Sequence, residues 1–168
     1  MRIETERLII EELTVNDTEF LIELLNQPSF KQNIGERYVD DKQSAINFLE
    51  NGPFLTYPRE IGMHCVRIKG SGEPIGLCGL MKRDYFVMPD LGYAFLEQVH
   101  GLGYASEAAR EVVNWANFDK GYNRLCAMTA PSNEASINLL LKLGFEETSL
   151  PSVPNEMKDS RYFELPLN

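Results

Sequence analysis

The sequence predicts a mixed α/β fold: one central, mostly antiparallel sheet of about six to seven strands flanked by about four helices. Three observations carry this expectation. Short apolar runs of strand character occur before, between and after segments of helical period. Glycine, proline and asparagine punctuate them at turn positions. The 168 residues, 43% hydrophobic and 24% charged, suit a single domain spanning 1–168 with its own core.

Arg7 to Leu13 reads as the first strand. Asn16-Asp17 then caps a helix through about Asn26, with Phe20, Leu21, Leu24 and Leu25 on one face and Pro28 as its stop. Asp40-Asp41 opens a second helix, in which Ala45, Phe48 and Leu49 fall at helical spacing, and Asn51-Gly52-Pro53 closes it. Ile61–Lys69 and Pro74–Met81 are strands joined by Gly70-Ser71-Gly72, a hairpin signal. Pro89–Leu96 is a further strand. Ser106 to about Phe118 is a helix that turns Ala105, Ala108, Ala109, Val112, Val113 and Ala116 to the sheet. A strand over Arg124–Ala130, a helix over Asn133–Leu143 ended by Gly144, and a last strand over Arg161–Leu165 complete the order.

Composition excludes several classes of function. The net charge of −9 argues against a nucleic-acid partner, because phosphate binding needs clustered Lys and Arg. The same charge favours a cationic partner such as an amine. Cys65, Cys78 and Cys126 are an odd, unpaired set among apolar neighbours, which reads as reduced and buried. His64 and His100 stand at no usual zinc spacing from them, so no metal is expected. The opening Met1-Arg-Ile-Glu-Thr-Glu-Arg7 is charged where a secretion signal needs an apolar run, and no apolar stretch approaches a membrane span. The expectation is a soluble, cytoplasmic monomer or homodimer with no membrane contact.

The chemistry concentrates between Asp90 and Phe145. A strand ending near Phe95 runs into a turn bearing Gly101 and Gly103, and the turn runs directly into a helix. The start of a helix leaves backbone N–H groups unpaired and carries partial positive charge. With small residues around it, that turn makes a cradle for a pyrophosphate. Gly101-x-Gly103-x-x-Ser106 is one residue short of the dinucleotide fingerprint, but the next strand, Arg124–Ala130, has no carboxylate to hold a ribose.

The segment resembles motif A of the GNAT superfamily of N-acetyltransferases, [Q/R]-x-x-G-x-[G/A]. Gln98-Val-His-Gly101-Leu-Gly103 matches its letters; His100-Gly-Leu-Gly103-Tyr-Ala105 fits its structural context and is the register adopted. Asn133-Glu-Ala-Ser136-Ile-Asn-Leu-Leu-Leu-Lys142-Leu-Gly144-Phe145 resembles motif B, N-x-x-S-I-x-L-L-x-K-L-G-F. Thr5-Glu-Arg-Leu-Ile-Ile10 and Asn26-Gln-Pro28 resemble the opening of the branch of ribosomal-protein N-terminal alanine and serine acetyltransferases, apart from Glu11, where that branch commonly has Arg. The likeness runs over nearly the whole chain and thins after Thr148.

The resemblance implies a GNAT fold and transfer of acetyl from acetyl-CoA, the co-substrate, to a primary amine. It places Phe95, Leu96, His100, Gly101, Leu102, Gly103, Tyr104, Ala105, Ser106, Asn133 and Asn138 against the cofactor. A backbone N–H near Phe95 or Leu96 would hold the oxyanion, and Ser136 would hydrogen-bond the leaving thiolate, since Leu140 stands where many members have a tyrosine. Met128 stands where other N-terminal acetyltransferases place a glutamate base; Asp90 is the catalytic candidate, with His64, Glu97 or water as alternatives. Phe30–Thr56 and the Leu150–Ser160 loop are expected to line the acceptor site. The acceptor implied is a protein N-terminus; a small-molecule amine and a non-catalytic acyl-CoA-binding role are the alternatives.

Overall fold

In a computed structural model covering residues 1–168, the strands form one sheet in the order β1-β2-β3-β4-β5-β6-β8-β7. They are β1 (Ile3–Glu4), β2 (Leu8–Glu11), β3 (Gly62–Ile68), β4 (Pro74–Met81), β5 (Asp90–Phe95), β6 (Arg124–Thr129), β7 (Glu146–Thr148) and β8 (Arg161–Pro166). Every neighbouring pair is antiparallel except β5 and β6, which are parallel. The helices are α1 (Thr18–Leu25), α2 (Pro28–Asn33), α3 (Lys42–Asn51), α4 (Pro53–Thr56), α5 (Tyr104–Phe118) and α6 (Glu134–Lys142). This is the mixed class read from the sequence, with one strand more than the expected range and two short helices besides the four longer ones.

Alternation along each strand divides the sheet into two faces. On one, Val66, Cys78, Leu91 and Phe95 pack with Ala108, Ala109, Val112 and Ala116 of α5 and with Ile137 and Leu140 of α6. On the other, Cys65, Leu77 and Leu96 pack with Leu21, Leu24 and Leu25 of α1 and Ala45 and Leu49 of α3. A small third cluster, Phe86, Cys126 and Tyr162, fills the same second face under the loops around residues 82–89 and 150–160.

Helix starts follow side-chain chemistry. Thr14, rather than Asn16 or Asp17, opens the first helical stretch: its Oγ1 accepts from the Asn16 N–H, and Asp17 Oδ2 accepts from the Thr14 N–H. Asp41 caps α3, accepting from the Ser44 N–H at 2.7 Å. Pro28 ends one helix, as read, and also starts another, because a proline at the first helical position lacks only an N–H that has no partner there anyway.

The turn between β1 and β2 reaches across to α5. The Glu107 carboxylate accepts from Thr5 Oγ1 (2.6 Å), the Arg7 N–H (2.8 Å) and Arg7 Nε (2.7 Å). The Arg7 guanidinium also donates to Leu102 O at 3.0 Å and lies 4.3 Å from the Tyr104 ring centroid. The edge of the sheet is thereby tied to the loop that precedes α5. Glu107→Ala removes one acceptor for three donors and should lower the unfolding free energy by about 2–3 kcal/mol in urea titration.

Candidate functional site

A cleft of about 1270 Å³ opens where β5 and β6 part. The two strands are bridged at one position, Asp90 beside Cys126, with the Cys126 N–H donating to Pro89 O. Beyond that bridge they splay. On the other edge β5 remains paired to β4 over six positions, from Met81–Asp90 to Gly76–Phe95. The Leu96 N–H donates to Ile75 O at 2.9 Å. By antiparallel alternation Phe95, one residue earlier, turns its N–H and C=O away from β4 and into the gap. Its C=O is taken there by His100 Nε2 at 2.9 Å and Gln27 Nε2 at 3.4 Å.

The gap leads to the loop before α5. Gly101 and Gly103 both have positive φ, +79° and +84°, a backbone shape that a side chain would strain. Nothing lies within 4 Å of where a Gly101 Cβ would stand. The first intrahelical bond of α5 runs from the Glu107 N–H to Gly103 O, so the N–H groups of Tyr104, Ala105 and Ser106 have no helical partner. All three residues border the cleft, as do His100, Gly101 and Gly103. Unpaired N–H groups at the positive end of a fifteen-residue helix are suited to a pyrophosphate.

The far wall is α6. Asn133 Oδ1 caps it by accepting from the Ser136 N–H at 3.2 Å, which leaves the Asn133 amide NH₂ for the cleft. Asn133, Ser136 and Asn138 all border the cleft. Ser136 Oγ lies 2.7 Å from the Tyr93 hydroxyl. Burial pushes the Tyr93 phenol up to about 12, so it stays protonated and can donate. Tyr93 was not singled out in the sequence, yet it shares a sheet face with Phe95, two residues on. That spacing on a strand next to the glycine turn was the available signal.

On the opposite face of β5 stands Asp90, 2% exposed and bordering the same cleft. Its Oδ2 accepts from Arg83 Nε at 3.0 Å, whereas Oδ1 is buried without a partner. Burial pushes its pKa up, and the Arg83 guanidinium pulls it partly back. The predicted acceptor segments also reach the cleft: Phe30, Asn33 and Arg37 from one, Glu156, Met157 and Asp159 from the other.

Several expected residues are placed elsewhere. Leu96 points into the α1–α3 cluster and its N–H is committed to Ile75, so of the two proposed oxyanion donors only Phe95 offers a free N–H. Leu102 is 55% exposed on the outside of the loop, its carbonyl held by Arg7. Neither borders the cleft. The His100 side chain is turned to the Phe95 carbonyl and is not aimed at a phosphate position.

The alternative bases fare no better. His64 is fully buried off the cleft, with Nδ1 2.9 Å from Gly62 O and its pKa brought down to about 4 by burial. Glu97, also off the cleft, accepts from the Ser29 N–H at the start of α2, which holds its carboxyl below the usual range. The three cysteines are free and buried, and burial pushes each thiol up to about 12, far from a reactive thiolate.

Comparison with known proteins agrees with this geometry. The acetyltransferase (GNAT) domain family matches residues 7–146. The uncharacterized N-acetyltransferase p20 of Bacillus licheniformis is 25% identical over 147 residues, 87% of this chain and 83% of that protein. An acetyltransferase from Agrobacterium tumefaciens str. C58 superposes with a TM-score of 0.83 at 22% identity, covering 98% of this chain and 94% of the other. Ribosomal-protein-S5-alanine acetyltransferase from Vibrio fischeri does so with a TM-score of 0.79 at 17% identity, covering 99% and 96%. A parted sheet whose gap opens on a glycine-bearing helix start, matched by that family over residues 7–146, places the chain in the GNAT family of acetyl-CoA-dependent acetyltransferases.

Proposed function

We propose that the chain acetylates the N-terminal α-amine of a protein or peptide in the cytoplasm. The observation that carries this reading is the Asp90 carboxylate, the one buried acid bordering the cleft, with one oxygen paired to Arg83 and the other free. Such a group can hold an amine and accept its proton, directly or through water. An α-amine, with a pKa of about 7.8, is already about a tenth neutral at pH 7 and asks little of a base, whereas a lysine amine is neutral in roughly one molecule per few thousand. The likeness in shape to the Vibrio fischeri alanine acetyltransferase and the opening Thr5–Ile10 support the same acceptor.

In this reading the neutral amine enters on the Asp90 face and attacks the thioester carbon. A C–N bond forms, and the carbonyl oxygen takes up negative charge opposite the Phe95 N–H. Collapse breaks the C–S bond and releases the thiolate on the α6 side. In this mechanism the Tyr93 hydroxyl, 2.7 Å from Ser136 Oγ, is the donor of that pair, which leaves the Ser136 O–H free to point at the sulfur. The proton lost by the amine passes to Asp90 or its water and leaves to solvent. Gly101, Gly103 and the N–H groups of Tyr104, Ala105 and Ser106 hold the pyrophosphate, with Asn133 and Asn138 along the pantetheine arm.

Gly101→Asp places a negative side chain in open space beside the cradle and should weaken coenzyme A by at least ~30-fold, about 2 kcal/mol, in calorimetry. Unchanged affinity would remove the cradle from the assignment.

Ser136→Ala should lower kcat by ~10-fold with little change in the KM for acetyl-CoA, because its hydrogen bond strengthens as the thiolate forms. A wild-type kcat would return Ser136 to a purely structural role.

The acceptor is tested with one peptide in two forms, one with a free N-terminus and one with a blocked N-terminus and an internal lysine. The free form should have a kcat/KM at least ~10-fold higher, in line with the gap in amine pKa. Equal rates would overturn the assignment, and far faster turnover of spermidine or an aminoglycoside would transfer it to a small amine.

A further inference from the structure

Four methionines from four separate elements border the acceptor half of the cleft: Met63 of β3, Met81 of β4, Met128 of β6 and Met157 of the loop before β8. Their arrangement follows from the sheet register. Met63 pairs with Gly79 and Gly79 with Gly92, so one row across β3, β4 and β5 has a methionine at its edge and then two positions with no side chain. From the Asp90–Cys126 bridge, two residues further along each strand put Met128 across the gap from Gly92. Met81 pairs with Asp90 in the adjoining row.

The tips of Met63 and Met81 meet over the glycine floor. A Cβ on Gly92 would stand 3.2 Å from Met63 Sδ and 3.3 Å from Met81 Cε. Met157 completes the wall, its Sδ accepting from the Tyr85 hydroxyl at 3.1 Å, and Tyr85 in turn accepts from Arg83 at 2.9 Å. Asp90 borders the same part of the cleft, its Oδ1 buried and without a partner. Asp90 and Gly92 lie on one strand face two residues apart, roughly 7 Å.

A trough of this composition is selective. Unbranched thioethers reshape around an apolar guest and offer almost nothing to a polar one. A polar side chain laid there would lose its water without replacement, and a small one would leave the methionines unfilled. The free carboxylate oxygen at the end calls for a cation. We propose that the acceptor bears a bulky apolar side chain, of the methionine, leucine or phenylalanine kind, on the carbon that carries the reacting amine, and that Met63, Met81, Met128 and Met157 receive it over Gly92. This deepens the acceptor reading given above and rests on it for the peptide context, though not for the side-chain preference.

The test measures kcat/KM with acetyl-CoA for two parallel series: peptides alike except for their first residue, and the corresponding free amino-acid amides. Both carry Met, Leu, Phe, Ala, Ser, Lys or Asp. Met, Leu and Phe should exceed Ala and Ser by at least ~10-fold in each series, the effect expected for burying such a side chain. Equal rates across a series, or a preference for Ala or Ser, would overturn the proposal. Preference among the amides with no turnover of any peptide would leave the trough standing and remove the protein N-terminus as the acceptor. Turnover in neither series would remove both.

The Met63→Ser/Met128→Ser double variant supplies a readout independent of the amount of folded enzyme. The ratio of Met-starting to Ala-starting peptide should fall to about threefold or less. A ratio that keeps its wild-type value would place the selectivity elsewhere and sink the assignment of these side chains.

Discussion

Beyond Asp90 and Cys126 the backbones of β5 and β6 have no further pairing with each other, and the molecule is arranged around that parting. An opened parallel pair leaves N–H and C=O groups without partners, and each would cost free energy if simply buried. Here the rest of the sheet holds both strands so that the parting can persist. β5 is registered to β4 over six positions, and β6 to β8 over another six, from Arg124–Pro166 to Thr129–Arg161. The Phe95 carbonyl, turned into the gap, is met by His100 from the loop beyond. What is left over is the Phe95 N–H, the donor proposed for the oxyanion.

A chain of net charge −9 nevertheless presents a site for a polyanion, and the apparent conflict resolves in the backbone. The proposed cradle consists of two glycines and of N–H groups at the start of α5, and the charge of those N–H groups is partial, local and fixed by the fold. Arg7, the cation beside this loop, is spent on Glu107, Leu102 and Tyr104. Its task is to fix the loop against the sheet edge. A preorganised dipole needs no reorientation when ligand arrives, so holding the loop still is part of how it binds.

Much of this was legible because local chemistry and global position agreed. Pro74–Met81 was readable to the residue, since the Gly70-Ser71-Gly72 turn precedes it, a proline starts it and the charged Lys82-Arg83-Asp84 follows it. Asn133 was readable as a cap, and Gly101 and Gly103 as a turn before a helix. The two- and three-residue strands β1 and β7 were not, because pairing with a neighbour defines them and their own pattern does not. Leu96 and Leu102 fall inside a motif that reads as uniformly ligand-facing, yet strand alternation sends one into the core and the loop sends the other to solvent. Tyr93 and the methionine trough were invisible for another reason. Each is made by residues from separate elements that only the register β3–β4–β5 and the gap to β6 bring together.

The same alternation separates the two substrates. Leu91, Tyr93 and Phe95 point to the face covered by α5 and α6, where the glycine turn, Asn133 and Ser136 gather. Asp90 and Gly92 point to the other face, with Met63, Met81 and Met128. On the proposed assignment cofactor and acceptor approach the sheet from opposite sides and meet where β5 and β6 part. In the proposed mechanism Tyr93 and Ser136, which stay protonated, lie on the thiol side, and Asp90, the proposed proton acceptor, lies on the amine side. Were both on one face, a carboxylate would compete with the thiolate for the same hydroxyl protons. The period-two geometry of a single strand keeps these two sets of groups apart, so in the proposed mechanism the face on which a residue of β5 stands decides which half of the reaction it serves.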